Sequence, residues 1–180
     1  MKDLIAVDSV VVIAEDNDDL RDSIIDALSS HFGKVIGAPN GKKVIEIMKS
    51  TTVNVVVTDY MMPEMNGLEL ISYINTHHPM IPVLMLTANG MAPEVNEALK
   101  NGVFDILDKP IRNDLLRNRV QNSLLMPELL KVIWAAMSLE RGTPKLEEFL
   151  RQPFRKQMEV IHAYSAFLRT RALAKRGESA

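Results

Sequence analysis

Five short apolar runs punctuate the first two-thirds of the chain: Val10–Ala14, Lys34–Gly37, Val53–Thr58, Pro82–Thr87 and Phe104–Leu107. They are rich in Val, Ile and Leu with little polar alternation, the pattern of parallel strands covered on both faces. Between them the apolar spacing shifts to three and four residues, which predicts amphipathic helices. Asn17 or Asp18 caps one running through Leu20, Ile24, Ile25 and Leu28. Asn40-Gly41 precedes Val44, Ile45 and Met48, and Gly67 opens a segment with Leu68, Leu70, Ile71 and Ile74 that stops before Pro79. Pro93 starts another that ends at Asn101-Gly102, a left-handed stop. Five strand–helix units predict a doubly wound, flavodoxin-like α/β domain, with a five-stranded parallel sheet and helices on both faces.

The fifth helix begins near Asn113 and covers Leu115, Leu116, Val120 and Leu124. Met126-Pro127 is expected to bend or end it, because a residue before proline avoids the helical region. The chain therefore divides into a domain at 1–126 and a helical tail at 127–180. Within the tail, Pro127–Glu140 is apolar on most sides, through Leu129, Leu130, Val132, Ile133, Trp134 and Met137. Those residues cannot all face water and require a covering surface. A short piece, Lys145–Arg151, comes next. Pro153 then opens a helix with Phe154, Met158, Ile161, Ser165 and Leu168 in one stripe.

Charge sharpens this division. Through Met126, 11 Lys and Arg oppose 17 Asp and Glu, a net −6; from Pro127 onward 10 oppose 6, a net +4. The chain has no cysteine, so disulfides, zinc-thiolate sites and thiol catalysis are excluded. No apolar run approaches the ~20 residues of a membrane span. Met1-Lys2-Asp3 leads into no signal-peptide core, so a cytoplasmic protein without membrane contact is expected.

In a doubly wound sheet, functional side chains gather beyond the carboxyl ends of the strands. Here those ends carry Glu15-Asp16, Asp59, Thr87 and Lys109-Pro110. Carboxylates 4 Å apart at an effective dielectric near 20 repel by ~4 kcal/mol per pair. They must protonate, separate or gain a cation. A hard divalent ion such as Mg2+ resolves the conflict, with Lys109 left to balance a further anion. Asp18, Asp19, Asp105 and Asp108 read as surface charges or caps. The four histidines show no ligand spacing, and the methionines read as packing.

Glu15-Asp16, Asp59 followed by "YMMPEMNG", Thr87-Ala88 and Lys109-Pro110 together resemble the receiver domain of two-component response regulators, over roughly residues 8–126. The resemblance implies that Asp59 is the phospho-acceptor, taking a phosphoryl group from a histidine kinase's phosphohistidine. It implies Mg2+ held by Asp16, Asp59, Glu15 and the backbone carbonyl of Met61, with Lys109 on the phosphoryl oxygens and Thr87 donating its hydroxyl. It also implies a cis peptide before Pro110. One departure stands out. Many receivers carry Tyr or Phe three residues before the lysine, and here that position is Ile106, with Phe104 nearby at the same parity along the strand. The expected exit for the signal is the packed surface of the fourth helix, fifth strand and fifth helix.

Other readings lead to other outputs. The basic tail, with "RTRALAKR", raises DNA binding, but no helix-turn-helix pattern supports a nucleic-acid partner. A magnesium-dependent phosphatase of the haloacid type would need a second Asp two residues after Asp59, where Met61 stands. The expected partners are a sensor histidine kinase or phosphotransfer protein. A second copy is expected through the tail or the surface of the fourth helix, fifth strand and fifth helix.

Overall fold

The structure is a computed structural model. It describes residues 8–88 and 93–137, and within the C-terminal segment residues 145, 148–149, 151–152, 156–157 and 159–160. Strands and helices alternate along the chain as β1 (Val10–Ala14), α1 (Asp18–Ser29), β2 (Lys34–Ala38), α2 (Gly41–Ser50), β3 (Val55–Asp59), α3 (Gly67–His77), β4 (Val83–Thr87), α4 (Pro93–Lys100), β5 (Asp105–Asp108) and α5 (Asn113–Met137). All neighbouring strands run parallel, in the order β2-β1-β3-β4-β5. This is the doubly wound, flavodoxin-like arrangement the apolar runs predict.

Strand periodicity sorts the core into two layers. Val11, Ile13, Val55, Val57, Leu84 and Leu86 pack against Ile24 and Leu28 of α1 and Leu116, Val120 and Leu124 of α5. Val12, Ala14, Val56, Val83 and Met85 face Val44 of α2, Leu70, Ile71 and Ile74 of α3 and Ala98 of α4. With β1 and β3 side by side and β2 beyond β1, the chain reverses its direction of travel between them. The crevice at their carboxyl ends is therefore the place for a site.

Helix starts follow local chemistry. The side chains of Asn17, Asn40 and Asn66 accept from Leu20, Lys43 and Glu69 backbone N–H groups, so Asn17 rather than Asp18 caps α1. Asn66 and Glu69 form a reciprocal capping box. Gly102 ends the α4 turn at φ 83°, as the Asn101-Gly102 stop predicts.

Several bounds differ from the sequence reading. β3 starts at Val55 and reaches Asp59, because Asn54 is held back by its side chain, which accepts from the Val10 N–H. β5 spans Asp105–Asp108, so Phe104 precedes it. Ile106 packs on the α2–α4 side of the sheet while Phe104 packs on the α1–α5 side. The equal parity expected of these two residues fails because Phe104 lies outside the pleat. Leu115 is half-exposed, and the buried stripe of α5 is Leu116, Val120 and Leu124. α5 also does not end at Met126-Pro127; it runs on to Met137 with Pro127 inside. Proline removes a single ladder bond there, and strong helix formers on either side let the helix resume.

The side chains of Leu129, Leu130, Val132, Ile133 and Met137 lie outside the described residues, as does the stripe from Phe154 to Leu168. Beyond α5, Arg151 and Gln157 lie beside residues of the domain. Phe149 and Gln157 are fully buried. Gln157 donates Nε2 to the Gln152 carbonyl at 2.7 Å and approaches Met80 Sδ at 3.7 Å. Arg151 lines a cavity of about 410 Å3 with Ser72, Asn75 and Thr76 of α3 and with Lys100 and Asn101. Asn75 donates to the Asn101 carbonyl, joining α3 to the end of α4.

Two substitutions test this framework. A Cβ on Gly67 would lie 2.3 Å from the Asp59 carbonyl oxygen, so Gly67→Ala is expected to cost about 3 kcal/mol in urea unfolding. Pro127→Ala restores a helical N–H and is expected to raise both the helical circular dichroism and the stability, by about 1–3 kcal/mol. A loss of helical signal would show that α5 is not continuous through residue 127.

Candidate functional site

β1 and β3 end side by side, and each releases an acid at its carboxyl end. Glu15 follows Ala14 and is held in the sheet by its own N–H, which donates to the Ala38 carbonyl at 3.0 Å. Asp59 closes β3 in register beside Leu86. One carboxylate oxygen from each of Glu15, Asp16 and Asp59 lies within 4.8 Å of the others. Glu15 and Asp59 are buried while Asp16 faces solvent. The cluster predicted from strand ends is therefore formed.

Lys109 reaches the same point from the end of β5. Its Nζ lies 2.7 Å from Glu15 Oε2 and 2.8 Å from Asp59 Oδ1. Its N–H donates to the Thr87 carbonyl at 2.7 Å, so the end of β4 sets the lysine's height above the sheet. The Lys109-Pro110 peptide is cis, as the resemblance implies. Thr87 is buried at the end of β4, paired in register with Asp108. Met61, two residues beyond Asp59, is 67% exposed. Its side chain takes no part in the acidic cluster, so only its main chain could serve a ligand there.

Burial pushes the Glu15 carboxyl above the ordinary glutamate range; the hydrogen bond from Lys109 opposes this, and the charge of Asp59 adds to it. Burial alone would lower the Lys109 ammonium, but its hydrogen bonds to Asp59 and Glu15 outweigh that and raise it. Three acids facing one lysine leave the cluster with an excess of negative charge. The donor set is entirely oxygen, one exposed and two buried carboxylates. That chemistry fits a hard divalent cation such as Mg2+, which retains water on its open side. A softer metal would call for the thiol and imidazole ligands that are absent from the cluster.

The loop from Tyr60 to Asn66 is built against α2. Asn40 Nδ2 donates to Glu64 Oε1 at 2.8 Å, Gly41 N–H donates to the Met65 carbonyl at 3.2 Å, and Glu64 adopts a left-handed φ of 64°. At its far end Gly67 N–H donates to the Tyr60 carbonyl at 2.9 Å. Glu64 and Asn40 therefore shape the turn past Asp59, a role that only their contact across 24 residues reveals. Arg21 is the other participant that apolar spacing passes over: its Nη1 donates to the Glu15 carbonyl at 2.9 Å. A sequence clue existed in Asp18, three residues earlier, which pairs with it. Asp105, expected to be a surface charge or cap, pairs with Arg119 at 3.1 Å and accepts from the Ile106 N–H.

The raised Glu15 value carries a pH prediction for protein free of divalent ions. At neutral pH the folded state bears the cost of an ionised, buried Glu15, so Glu15→Gln is expected to stabilise the fold. As pH falls through the raised value toward the ordinary 4.5, the folded glutamate takes up its proton first and the cost disappears. The stability gap between variant and unaltered chain should therefore close on acidification in urea titrations. A variant less stable than the unaltered chain at neutral pH, with a deficit that shrinks on acidification, would mean that Lys109, not burial, governs Glu15.

With the geometry in place, comparison with known proteins is direct. Residues 11–121 match the family described as the response regulator receiver domain. The chain is 34% identical over 113 residues to the response regulator protein PilR of Pseudomonas aeruginosa, covering 63% of this chain and 25% of that protein. It is 32% identical over 114 residues to a cyclic di-GMP phosphodiesterase of Thermotoga maritima, covering 63% of this chain and 30% of that one. The chain thus spans about a quarter to a third of the length of these relatives. Among solved structures, a receiver domain of a Francisella response regulator aligns with a TM-score of 0.61 at 27% identity, covering 66% of this chain and 98% of its own. A Clostridium thermocellum receiver domain shares the fold, with a TM-score of 0.63 at 23% identity, covering 68% of this chain and 98% of its own. Carrying this sheet order, this acidic triad and the lysine from β5, the chain belongs to the response regulator receiver domain family.

Proposed function

We propose that this chain is a response regulator in which Asp59 accepts a phosphoryl group from the phosphohistidine of a sensor histidine kinase or a phosphotransfer protein. The observation that carries this reading is the gathering of Glu15, Asp16 and Asp59 within 4.8 Å, with Lys109 bridging two of them. Receiver domains partner with histidine kinases and are typically signalling switches rather than turnover enzymes.

Glu15, Asp16, Asp59 and the main-chain carbonyl of Met61 would hold Mg2+. When bound, the ion supplies positive charge against the oxygens of the transferring group. Asp59 is the nucleophile: one of its carboxylate oxygens forms the bond to phosphorus as the bond to the imidazole nitrogen breaks. The imidazole, protonated on its other nitrogen, leaves neutral. Lys109 exchanges its bond with the attacked carboxylate for the incoming phosphoryl oxygens, remaining tied to Glu15. Thr87 donates its hydroxyl to the same group once it arrives. Catalysis by the chain is then positioning and charge neutralisation, as phosphoryl transfer requires.

The response leaves through α4, β5 and α5. Ile106 offers no ring to swing in behind the threonine, so the change is carried by packed helices. Residues 127–180 act as a docking element, on the domain itself or on a second copy. The burial of Phe149 and Gln157 supports packing on the domain.

Incubation with Mg2+ and a small acyl phosphate should label the chain to one phosphoryl group per molecule, stable to acid and lost in base. Asp59→Asn should abolish that label. Equal incorporation in the variant would overturn the assignment, and continuous phosphate release would point to a hydrolase. Labelling should also shift amide resonances between residues 88 and 120; none moving would rule out this route for the signal.

A further inference from the structure

Arg21 is set into the domain in a way that a surface arginine is not. Its stem lies across β2 at Gly37: a Cβ there would sit 3.0 Å from Arg21 Cδ, 3.2 Å from Nε and 2.9 Å from Ile25 Cδ1. Helical side chains lean toward the amino end of their helix, which aims this one back over the β1–α1 connection. There Nη1 meets the Glu15 carbonyl at 2.9 Å, and Nη2 pairs with Asp18. The Arg21 side chain is 15% exposed while that of Asp18 is 80% exposed. The Glu15 main chain is thus gripped from both sides, its N–H by Ala38 and its carbonyl by Arg21. The carbonyl that Arg21 holds belongs to the peptide that joins Glu15 to Asp16.

We infer that Arg21 is a positioning residue for the cation site: its fork fixes the Glu15–Asp16 peptide so that both carboxylates converge on Asp59, and Gly37 is the notch that admits it. The inference rests on reading Glu15, Asp16 and Asp59 as a magnesium site. Two opposed effects decide the sign. A free guanidinium beside the site would repel a divalent cation, whereas an ordered peptide favours it. Asp18 neutralises the guanidinium, so orientation wins and loss of Arg21 weakens binding. Partners that orient metal ligands in this way are worth roughly ten-fold or more in metal affinity.

The test is a Mg2+ titration of the full chain followed by the amide resonances of Glu15, Asp16 and Asn17, in buffer where urea unfolding shows every variant folded. Arg21→Ala should raise the Mg2+ dissociation constant about ten-fold and shift those resonances before any Mg2+ is added. Labelling by a small acyl phosphate should recover toward that of the unaltered chain at saturating Mg2+. Arg21→Lys keeps the charge and loses the fork, so it should fall with the alanine variant. Gly37→Ala should weaken binding while Arg21 is present and add nothing in the Arg21→Ala background. An unchanged dissociation constant in Arg21→Ala, or an Arg21→Lys chain that binds as the unaltered one does, overturns the proposal. So does a Gly37→Ala effect that persists without Arg21. If the unaltered chain itself binds no Mg2+, the reading of the acidic site fails instead.

Discussion

A single ammonium group reconciles the end of the sheet with itself. β1 and β3 must lie together to bury Val11, Ile13, Val55 and Val57, and that pairing drives Glu15 and Asp59 into the same crevice. Two buried carboxylates at this range are tolerable only when a cation stands between them. Lys109 supplies it from the opposite half of the sheet, 94 residues from Glu15 in sequence. The lysine is therefore a structural tie between β1, β3 and β5 as well as the group proposed to meet an arriving phosphoryl. These roles are linked: whatever takes Asp59 away from Lys109 also loosens a bond across three strands.

Around that tie the connections are rigid in different ways. The β1–α1 connection is held by the Ala38 carbonyl, the Asn17 cap and Arg21. The β3–α3 connection is clamped to the start of α2 through Asn40, Glu64 and Met65. Thr87 fixes Lys109 through its carbonyl while its hydroxyl belongs to a different part of the residue. One residue can thus set the position of the lysine and still move its side chain.

Much of this was legible in the chain. The strands show because both of their faces are buried, which turns them into near-continuous Val, Ile and Leu runs. The acids, Thr87 and Lys109 show because strand ends are where a doubly wound sheet collects its polar side chains. Contacts between distant segments did not show. Nothing near Arg21 says that Gly37 makes room for it, and nothing near Glu64 says that Asn40 receives it. Equal parity of Phe104 and Ile106 holds only within the pleat, and Phe104 lies just ahead of β5, on the other side of the sheet from Ile106. Met126-Pro127 predicts a bend or an end because the rule for residues before proline is local. The helix around it is a cooperative object that can forgo one bond.

The approach of Gly67 to the Asp59 carbonyl has a mechanical consequence. With no side chain at that point, main chain rests directly on main chain, and the first turn of α3 abuts the residue that would carry the phosphoryl group. α3 is 11 residues long, a strut of about 16 Å, and just past its other end lies Met80, against Gln157 of the C-terminal segment. Any thrust on the Asp59 backbone meets a stiff rod with no compliant layer in between. The Asp59 main chain and Gln157 thus bear on opposite ends of one helix.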